Sequence, residues 1–383
     1  MKFSFTDEQL MLKDSAEGFL TELSDSAAVR HAVASPSGVD ERLWQKICTD
    51  MYWQAILVPE AFGGLGLGLL EAAIVLEQMG RFLTPVPLSA GIQSALALRT
   101  VVDQPLAQTM LADLAQGQLV AFAHTAARPH WDAQGVEIVA TEASNGWVLK
   151  GEARFIASGN SASALLVVAQ IDNTLGLFRV ATGQAGVTLS KMPTMDQTRP
   201  MGMLQLSGVA VNGEDCLATD WGDHLESLLA LSCVMVGAEQ VGCAQASLEQ
   251  SVSYVSERVQ FGRTIASYQA IKHKAADMML KVESARSLLY YAACVGDEAL
   301  IEPTRAPELR EAAAMLASSA GDAAFFCAGT GIQLHGGVGI TEEYDIQLYF
   351  KRARSMEAYL GRPDEQREFL AAMLLDGDDC HAA

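Results

Sequence analysis

Two short segments beside long predicted helices carry residue types suited to binding a phosphate. The first, Arg258-Val259-Gln260-Phe261-Gly262-Arg263, ends one helical pattern, and Tyr268-Gln269-Ala270-Ile271-Lys272-His273 begins the next. A helix N-terminus presents free N–H groups and partial positive charge, so basic residues beside it favour a phosphate site. The alternative is a helix C-terminus at which Arg258 only complements the helix dipole. These residues by themselves leave both interpretations open.

A glycine-rich segment follows a later predicted helix. It reads Gln333-Leu334-His335-Gly336-Gly337-Val338-Gly339. Adjacent glycines let the backbone approach a ligand closely, and a diphosphate is one candidate. The segment follows no strand, so it is not a dinucleotide-binding loop of the Rossmann type, and the GxxxxGK[ST] pattern is absent. An ordinary helix C-cap would explain the glycines equally well.

The third candidate is a carboxylate. Between Glu226 and Glu249 the chain is nearly all apolar or small, and Glu239 is its only charge. An ionisable group alone in a buried helix is uncommon, and it is a functional candidate when it faces a cleft. The alternative is a structural carboxylate that pairs with an arginine of a neighbouring helix or subunit.

Three stretches of the chain must position these residues. Residues 1–119 are predicted to be helical, with Asp7 as an N-cap and an ordered Gly- and Pro-rich loop at 58–66. Residues 120–220 contain short β-branched and aromatic segments bounded by Gly, Asn or Asp, which predicts a β-sandwich or barrel. Residues 221–383 are predicted to form an antiparallel bundle of long helices at Leu225–Val259, Ile265–Asp297 and Arg305–Gln333. The expected fold class is α+β, mainly α.

Composition narrows the functional classes. The formal net charge is -20, so the average field would repel nucleic acid. Neither a signal core in the first nine residues nor a charge-free apolar run of about 18 residues is found, so no membrane span and a cytoplasmic location are expected. The seven cysteines lack a CxxC pair, and we expect reduced thiols and no metal site.

Four longer phrases are similar to the acyl-CoA dehydrogenase family, in order and over nearly the whole chain. They are VPEAFGGLGLGLLEAAIVLEQMGR, GWVLKGEARFIASG, AEQVGCAQASLEQSVSYVSERVQFGRTIASYQAIKHKAADM and QLHGGVGITEEYDIQLYFKRAR. The resemblance implies an N-terminal helical domain, a middle β-domain and a C-terminal four-helix bundle. It also implies FAD as cofactor and a tetramer in which a neighbouring subunit supplies part of each FAD site.

The resemblance also assigns cofactor-binding residues. Arg258, Phe261 and Gln269 resemble residues that reach the diphosphate and adenine of the FAD in an adjacent subunit. Gln333, Gly336 and Gly337 resemble a loop that crosses to the same diphosphate. The stretch Phe155, Ile156, Ala157 and Ser158 stands where the family commonly has Trp-Ile-Thr beside the isoalloxazine. Ala157 replaces a hydroxyl, and the loop from His124 to Ala127 departs from the usual Thr-Glu-Pro.

Family chemistry needs a base, and the usual one is missing. The resemblance implies that a glutamate removes the α-proton of an acyl thioester while the β-hydrogen leaves as hydride to the flavin. Leu360 stands at that position, and Ser232 stands at the alternative position on the first bundle helix. Glu239 lies seven residues from Ser232, on the same helix face, and is the predicted catalytic residue. Glu357 is a weaker candidate that we expect to be solvated or salt-bridged.

The resulting hypothesis is an FAD-dependent dehydrogenase of an acyl-CoA thioester that uses Glu239. The "AEQ" sequence resembles members that act on bulky, alicyclic or steroid side-chain esters, and the small residues Gly237, Gly242 and Ala244 permit a wide acyl pocket. The alternative is a catalytically incomplete partner subunit of a heterotetramer. Electron-transfer flavoprotein or a similar acceptor is the expected redox partner. A flavin oxidase or monooxygenase is a third possibility, which the sequence does not favour.

Overall fold

The computed structural model describes residues 5–126 and 131–375, and the chain is mainly helical with one large sheet. Six helices come first: α1 Asp7–Leu23, α2 Ser26–Ala34, α3 Glu41–Lys46, α4 Leu69–Arg81, α5 Leu88–Arg99 and α6 Pro105–Ala115. The predicted N-cap is wrong by one residue, because Thr6 caps α1 in a capping box with Gln9. The predicted loop at 58–66 is present, with a single 3₁₀ turn at Glu60–Phe62.

The middle of the chain forms the sheet. Its strands are β1 Val120–Ala123, β2 Val139–Ala143, β3 Gly146–Ala157, β4 Ala164–Ile171, β5 Thr174–Ala181, β6 Val187–Lys191, β7 Met201–Asn212 and β8 Cys216–Ala218. The strand order is β6-β7-β3-β2-β4-β5-β8, and β1 pairs in parallel with β4. Long antiparallel pairing of β3 with β7 places Trp147 opposite Val211 and fixes which side chains face the core.

The last part of the chain returns to long helices. These are α7 Gly222–Glu257, α8 Gln269–Ile301, α9 Ala306–His335, α10 Ile346–Glu357 and α11 Pro363–Leu375. A two-stranded hairpin, β9 Val259–Gln260 and β10 Arg263–Thr264, connects α7 to α8. The helices predicted from sequence are therefore found with their ends shifted by a few residues, and the fold class is confirmed.

The described residues fall into two compact units. The first unit comprises Met1–Val29, Leu69–Thr84 and Cys233–Ala383, and the second comprises Arg30–Gly68 and Pro85–Ser232. In the first unit α4 packs closely on α7, because a Cβ on Gly80 or Gly242 would lie 2.1 or 1.9 Å from a backbone oxygen of the other helix. The domain boundaries at 119 and 220 remain predictions.

Two helical stretches of the described chain are long and apolar enough to cross a membrane. They are Gly222–Glu257 and Pro303–Ile340, whose most apolar windows are 89% and 56% buried. The core helix of a folded protein has the same length and composition, so this is weak evidence for a span. The absence of a membrane span remains a prediction.

Candidate functional site

The α7–α8 hairpin presents its residues to the outside of the first unit. Phe261 and Gly262 both have positive φ, of 54° and 79°, which is the geometry of a type I′ turn. Phe261 at the tip is 91% exposed. Arg258 before the hairpin and Gln269 at the start of α8 are also exposed. An aromatic side chain that contacts so little of its own chain fits a residue that is covered by another molecule.

The glycine-rich segment 333–339, called the glycine loop below, lies beside this hairpin in the same unit. The guanidinium of Arg263 stacks on Tyr268 at 3.9 Å, and Lys274 Nζ, one turn further along α8, donates to Gln333 Oε1 at 3.3 Å. The ring of His335 stacks on Tyr254 of α7, with centroids 4.2 Å apart. These contacts bring together the end of α7, the start of α8 and the end of α9.

The backbone of the glycine loop is open on one side. A Cβ added to Gly336 or Gly337 would meet nothing within 4 Å, and Gly336 has a φ of 67°. A groove of about 420 Å³ lies between α8 and α9, and Lys281, Asp322, Phe325, Phe326 and Gln333 are among the residues that line it. A ligand can therefore approach this backbone closely, and Lys274 places a positive charge nearby, which suits an anionic group such as a diphosphate. The predicted residues Arg258, Phe261, Gln269, Gln333, Gly336 and Gly337 thus lie at one end of this unit.

Glu239 has a partner within its own unit. It is 4% exposed, and its Oε2 lies 3.3 Å from Nη1 of Arg352, a buried side chain of α10. The neighbouring Gln240 donates to the Met356 carbonyl at 3.2 Å and fixes α7 against the same helix. A carboxylate oxygen facing a guanidinium is poorly placed to take a proton from a ligand. The geometry therefore favours the structural alternative for Glu239, and its catalytic role remains a prediction.

The end of β3 in the second unit has an irregular backbone. Phe155 and Ser158 have φ of 57° and 50°, and the pairing with β7 shifts register between Ala153 and Ile156. Ile156, Ala157 and Ser158 are buried, and the Ser158 N–H donates to the Pro200 carbonyl at 2.9 Å. Left-handed conformations of non-glycine residues cost energy and concentrate at functional sites.

His124 is a polar residue of the same unit. The sequence singled it out only because its loop departs from the usual Thr-Glu-Pro. It follows β1, is 5% exposed, and its Nε2 has no hydrogen-bond partner among the described residues. Burial lowers the pKa of its imidazole from 6.5 to about 4, so the ring is neutral at pH 7. A buried polar atom without a partner is costly, which makes it a marker of an outside ligand.

The N-terminal and C-terminal parts of the chain each match a known domain family. Residues 6–118 match the acyl-CoA dehydrogenase N-terminal domain, and residues 223–375 match the acyl-CoA dehydrogenase C-terminal domain. The chain is also 34% identical to acyl-CoA dehydrogenase IpdE2 of Mycobacterium tuberculosis, over 94% of this chain and 95% of that protein. The chain belongs to the acyl-CoA dehydrogenase family.

Two solved structures are similar to this acyl-CoA dehydrogenase. The Tcur3481-Tcur3483 steroid ACAD has a TM-score of 0.85 and 26% identity, covering 97% of this chain and 98% of that one. The ChsE4-ChsE5 complex of Mycobacterium tuberculosis has a TM-score of 0.85 and 25% identity, covering 98% and 99%. The predicted enzyme class, dehydrogenation of an acyl-CoA thioester, and the predicted cofactor FAD are confirmed.

The backbone of this acyl-CoA dehydrogenase is well held at the usual position of the base, although the side chain cannot act. Leu360 is buried, and its carbonyl accepts from Cys233 Sγ at 3.6 Å and from Gln366 Nε2 at 3.2 Å. Burial raises the pKa of the Cys233 thiol to about 12, so a thiolate does not replace the missing carboxylate. Glu357 is half-buried and forms an ion pair with Arg354, which agrees with the expected salt bridge.

The alternative base position is occupied by a satisfied hydroxyl. Ser232 Oγ donates to the Leu228 carbonyl at 2.7 Å and accepts from Gln93 Nε2 at 3.0 Å. Gln93 comes from α5, and its role was not foreseen because nothing in the local sequence links it to a serine 139 residues away. Neither position offers a group that can remove an α-proton.

Two of the small residues expected to widen the acyl pocket serve helix packing instead. A Cβ on Gly237 would lie 2.7 Å from Leu316, and one on Gly242 would lie 1.9 Å from the Glu77 carbonyl. Neighbouring helices therefore occupy the space beside both glycines, so these two residues give no support to a wide pocket.

Proposed function

We propose that this acyl-CoA dehydrogenase oxidises a bulky, ring-bearing acyl-CoA thioester as one subunit type of a mixed tetramer. The observation that carries the proposal is Leu360, a buried aliphatic side chain where the family resemblance places the base, with its carbonyl held by Cys233 and Gln366. A subunit that binds FAD and cannot remove the α-proton needs a companion that can. In this arrangement the present chain completes the FAD site of a base-bearing subunit.

The relatives support the substrate class and the assembly. One similar structure is described as a steroid ACAD with a paired name, and another is a complex of two differently named chains. Both cover nearly the whole of this chain, so the likeness is not confined to one of its units. We transfer the bulky substrate and the mixed assembly to this chain on that basis.

The chain's own residues would serve binding and orientation. In this proposal Arg258, Gln269 and the open backbone of Gly336 and Gly337 hold the FAD diphosphate, while Phe261 covers the adenine end of the cofactor. The buried stretch at 155–158 lines the isoalloxazine. When bound, FAD supplies the acceptor for the β-hydrogen, which leaves as hydride. Electron-transfer flavoprotein as the next acceptor and a cytoplasmic location complete the proposal.

Glu239 as an internal base is the second candidate. This role is favoured by the position of the carboxylate, which is 4% exposed on an apolar helix. The ion pair with Arg352 counts against this role. The variant Glu239→Gln distinguishes a catalytic role of Glu239 from a structural one. If Glu239 is the base, Glu239→Gln keeps its yellow colour and loses anaerobic bleaching by acyl-CoA. If Glu239 is structural, the mixture co-purified with a base-bearing companion bleaches equally with the variant and with the unsubstituted chain.

The experiment on assembly uses the purified protein alone and co-expressed with base-bearing dehydrogenases from the same genome. Under the proposal the single protein shows no bleaching with short-chain or steroid acyl-CoA, and the co-purified mixture bleaches with the steroid ester. Full activity of the homogeneous protein would refute the mixed assembly.

Restoring the carboxylate tests the base position itself. Leu360→Glu should raise the rate of flavin reduction by about 10²-fold or more, which is the usual contribution of a positioned base. Leu360→Gln is the matched control, because it has the same shape and accepts no proton. Equal rates in the two variants would show that position 360 does not face the substrate.

A further inference from the structure

His124 carries an unused hydrogen-bonding atom inside the second unit. Its Nε2 is buried and has no partner in the described part of the chain, and the Arg154 Nε is in the same condition. Buried side-chain nitrogens in native proteins nearly always have a partner, from the protein, water or a ligand. Burial keeps the imidazole neutral at pH 7, so it can donate through one ring nitrogen and accept through the other.

Aromatic side chains surround this nitrogen. The His124 ring lies 5.3 Å from Phe122 and 6.0 Å from Trp131, measured between centroids, and Trp131 lies 5.6 Å from Phe155. The backbone N–H of Arg154 donates to the Thr125 carbonyl at 2.7 Å, which ties the residue after His124 to the end of β3. His124 and the stretch at 155–158 therefore share one corner of the unit.

This corner suits a planar ligand with a polar edge. Phe155 and Trp131 offer ring faces for stacking. Phe155 and Ser158 hold left-handed backbone conformations, which indicates that the end of β3 is shaped for a purpose other than strand pairing. Ala157 provides no side-chain donor, whereas His124 and Arg154 each have a buried side-chain nitrogen without a partner among the described residues.

We propose that His124 contacts the flavin, with its Nε2 hydrogen-bonded to the polar edge of the FAD isoalloxazine. The proposal rests on FAD as the cofactor, and it does not depend on the substrate or on the mixed assembly. In this chain the imidazole takes over the hydrogen-bonding role of the hydroxyl that is missing at Ala157. The isoalloxazine then stacks beside Phe155 and Trp131.

The test compares three variants of the full-length protein, prepared with and without FAD. His124→Phe keeps a flat ring between Phe122 and Trp131 and removes both nitrogens, while His124→Gln keeps a donor and an acceptor. His224→Phe is the matched control, because His224 is exposed and its ring lies 6.1 Å from that of Trp221. The readouts are the FAD dissociation constant, the visible spectrum, the flavin reduction potential and the Tm of the FAD-free form.

We expect His124→Phe to bind FAD about tenfold more weakly, as for the loss of one hydrogen bond to a buried group. Its flavin spectrum and potential should shift, His124→Gln should recover most of the affinity, and His224→Phe should change nothing. The Tm of the FAD-free form should not fall in His124→Phe, because an unsatisfied nitrogen has been removed. A lower Tm with unchanged affinity, spectrum and potential would overturn the proposal.

Two further outcomes are decisive. If His124→Phe does not fold, the same comparison is made with His124→Leu and with the ring ¹⁵N shifts of His124 in the unsubstituted protein before and after FAD addition. An unchanged ring shift on FAD binding would overturn the contact. Because no readout needs acyl-CoA, the proposed substrate and assembly can fail while the flavin contact stands.

Discussion

Glu239 and His124 are two buried polar side chains, one in each unit, and they differ in whether their own chain satisfies them. Glu239 pairs with Arg352 at 3.3 Å, whereas the His124 Nε2 has no partner among the described residues. A buried polar group that has a partner in its own chain is compatible with a stable fold. A buried polar group without a partner raises the free energy of the ligand-free protein, and a hydrogen bond from a ligand removes this cost. The contrast favours a structural role for Glu239 and supports the proposed contact of His124 with the cofactor.

The largest expected effect comes from breaking the satisfied pair. Arg352→Met removes the guanidinium that faces the buried Glu239 carboxylate, and we expect a loss of about 3–5 kcal/mol in the free energy of unfolding. The double variant Glu239→Leu with Arg352→Met should recover most of that loss, because two apolar side chains replace the pair. Urea unfolding of the FAD-free protein measures both. A single variant as stable as the unsubstituted protein would show that the pair contributes nothing.

The unsatisfied histidine should be visible in the pH dependence of stability. Its pKa is lowered from 6.5 to about 4 by burial, so the unfolded chain binds the proton more tightly than the folded one. The contribution is fully present above pH 6.5, and it is lost as the pH falls towards 4, by roughly 3 kcal/mol in total. The difference in unfolding free energy between His124→Phe and the unsubstituted protein, followed from pH 7 to pH 4, isolates this histidine from the other titrating groups. A pH-independent difference would contradict the assignment.

Sequence reasoning identified the residues whose geometry is local and missed those whose partners are distant. The segment 258–263 and the glycines 336 and 337 were singled out because basic residues at a helix end and close backbone approaches require particular residue types, although the hairpin itself was not predicted. The partner of Glu239 is 113 residues away, and that of Ser232 is 139 residues away, so no local pattern reveals either. Helix packing likewise decided the role of Gly237 and Gly242.

The β-domain shows the same division between local and distant information. The short β-branched segments between residues 120 and 220 predicted strands, and β7 Met201–Asn212 is one of the strands found there. The unsatisfied state of His124 follows from strand pairing and ring packing around it, which single-strand patterns do not contain. The departure from Thr-Glu-Pro was its only signal in the sequence.

Phe261 extends the comparison to the surface, because its apolar ring contacts little of the described part of the chain. Phe261→Ser should leave the unfolding free energy unchanged, because the ring is 91% exposed. FAD retention should weaken about tenfold, or ~1.4 kcal/mol, if another subunit covers the ring. Size-exclusion chromatography with absorbance detection measures retained FAD and assembly size together. The control is Ile301→Ser, at the opposite end of α8 and 85% exposed, which should affect neither. Equal losses in the two variants would mean that position 261 is not special.

The smallest effect concerns Tyr268, which holds the hairpin that presents Phe261. Its ring lies 3.9 Å from the guanidinium carbon of Arg263, a cation–π contact at an exposed site. Tyr268→Leu removes the contact, worth about 0.5–1 kcal/mol, and should weaken FAD binding about two- to fivefold by disordering the hairpin. Tyr268→Phe keeps the ring and should bind FAD normally. If Tyr268→Phe weakens FAD binding as much as Tyr268→Leu does, then the hydroxyl contacts the cofactor and the stacked ring does not order the hairpin.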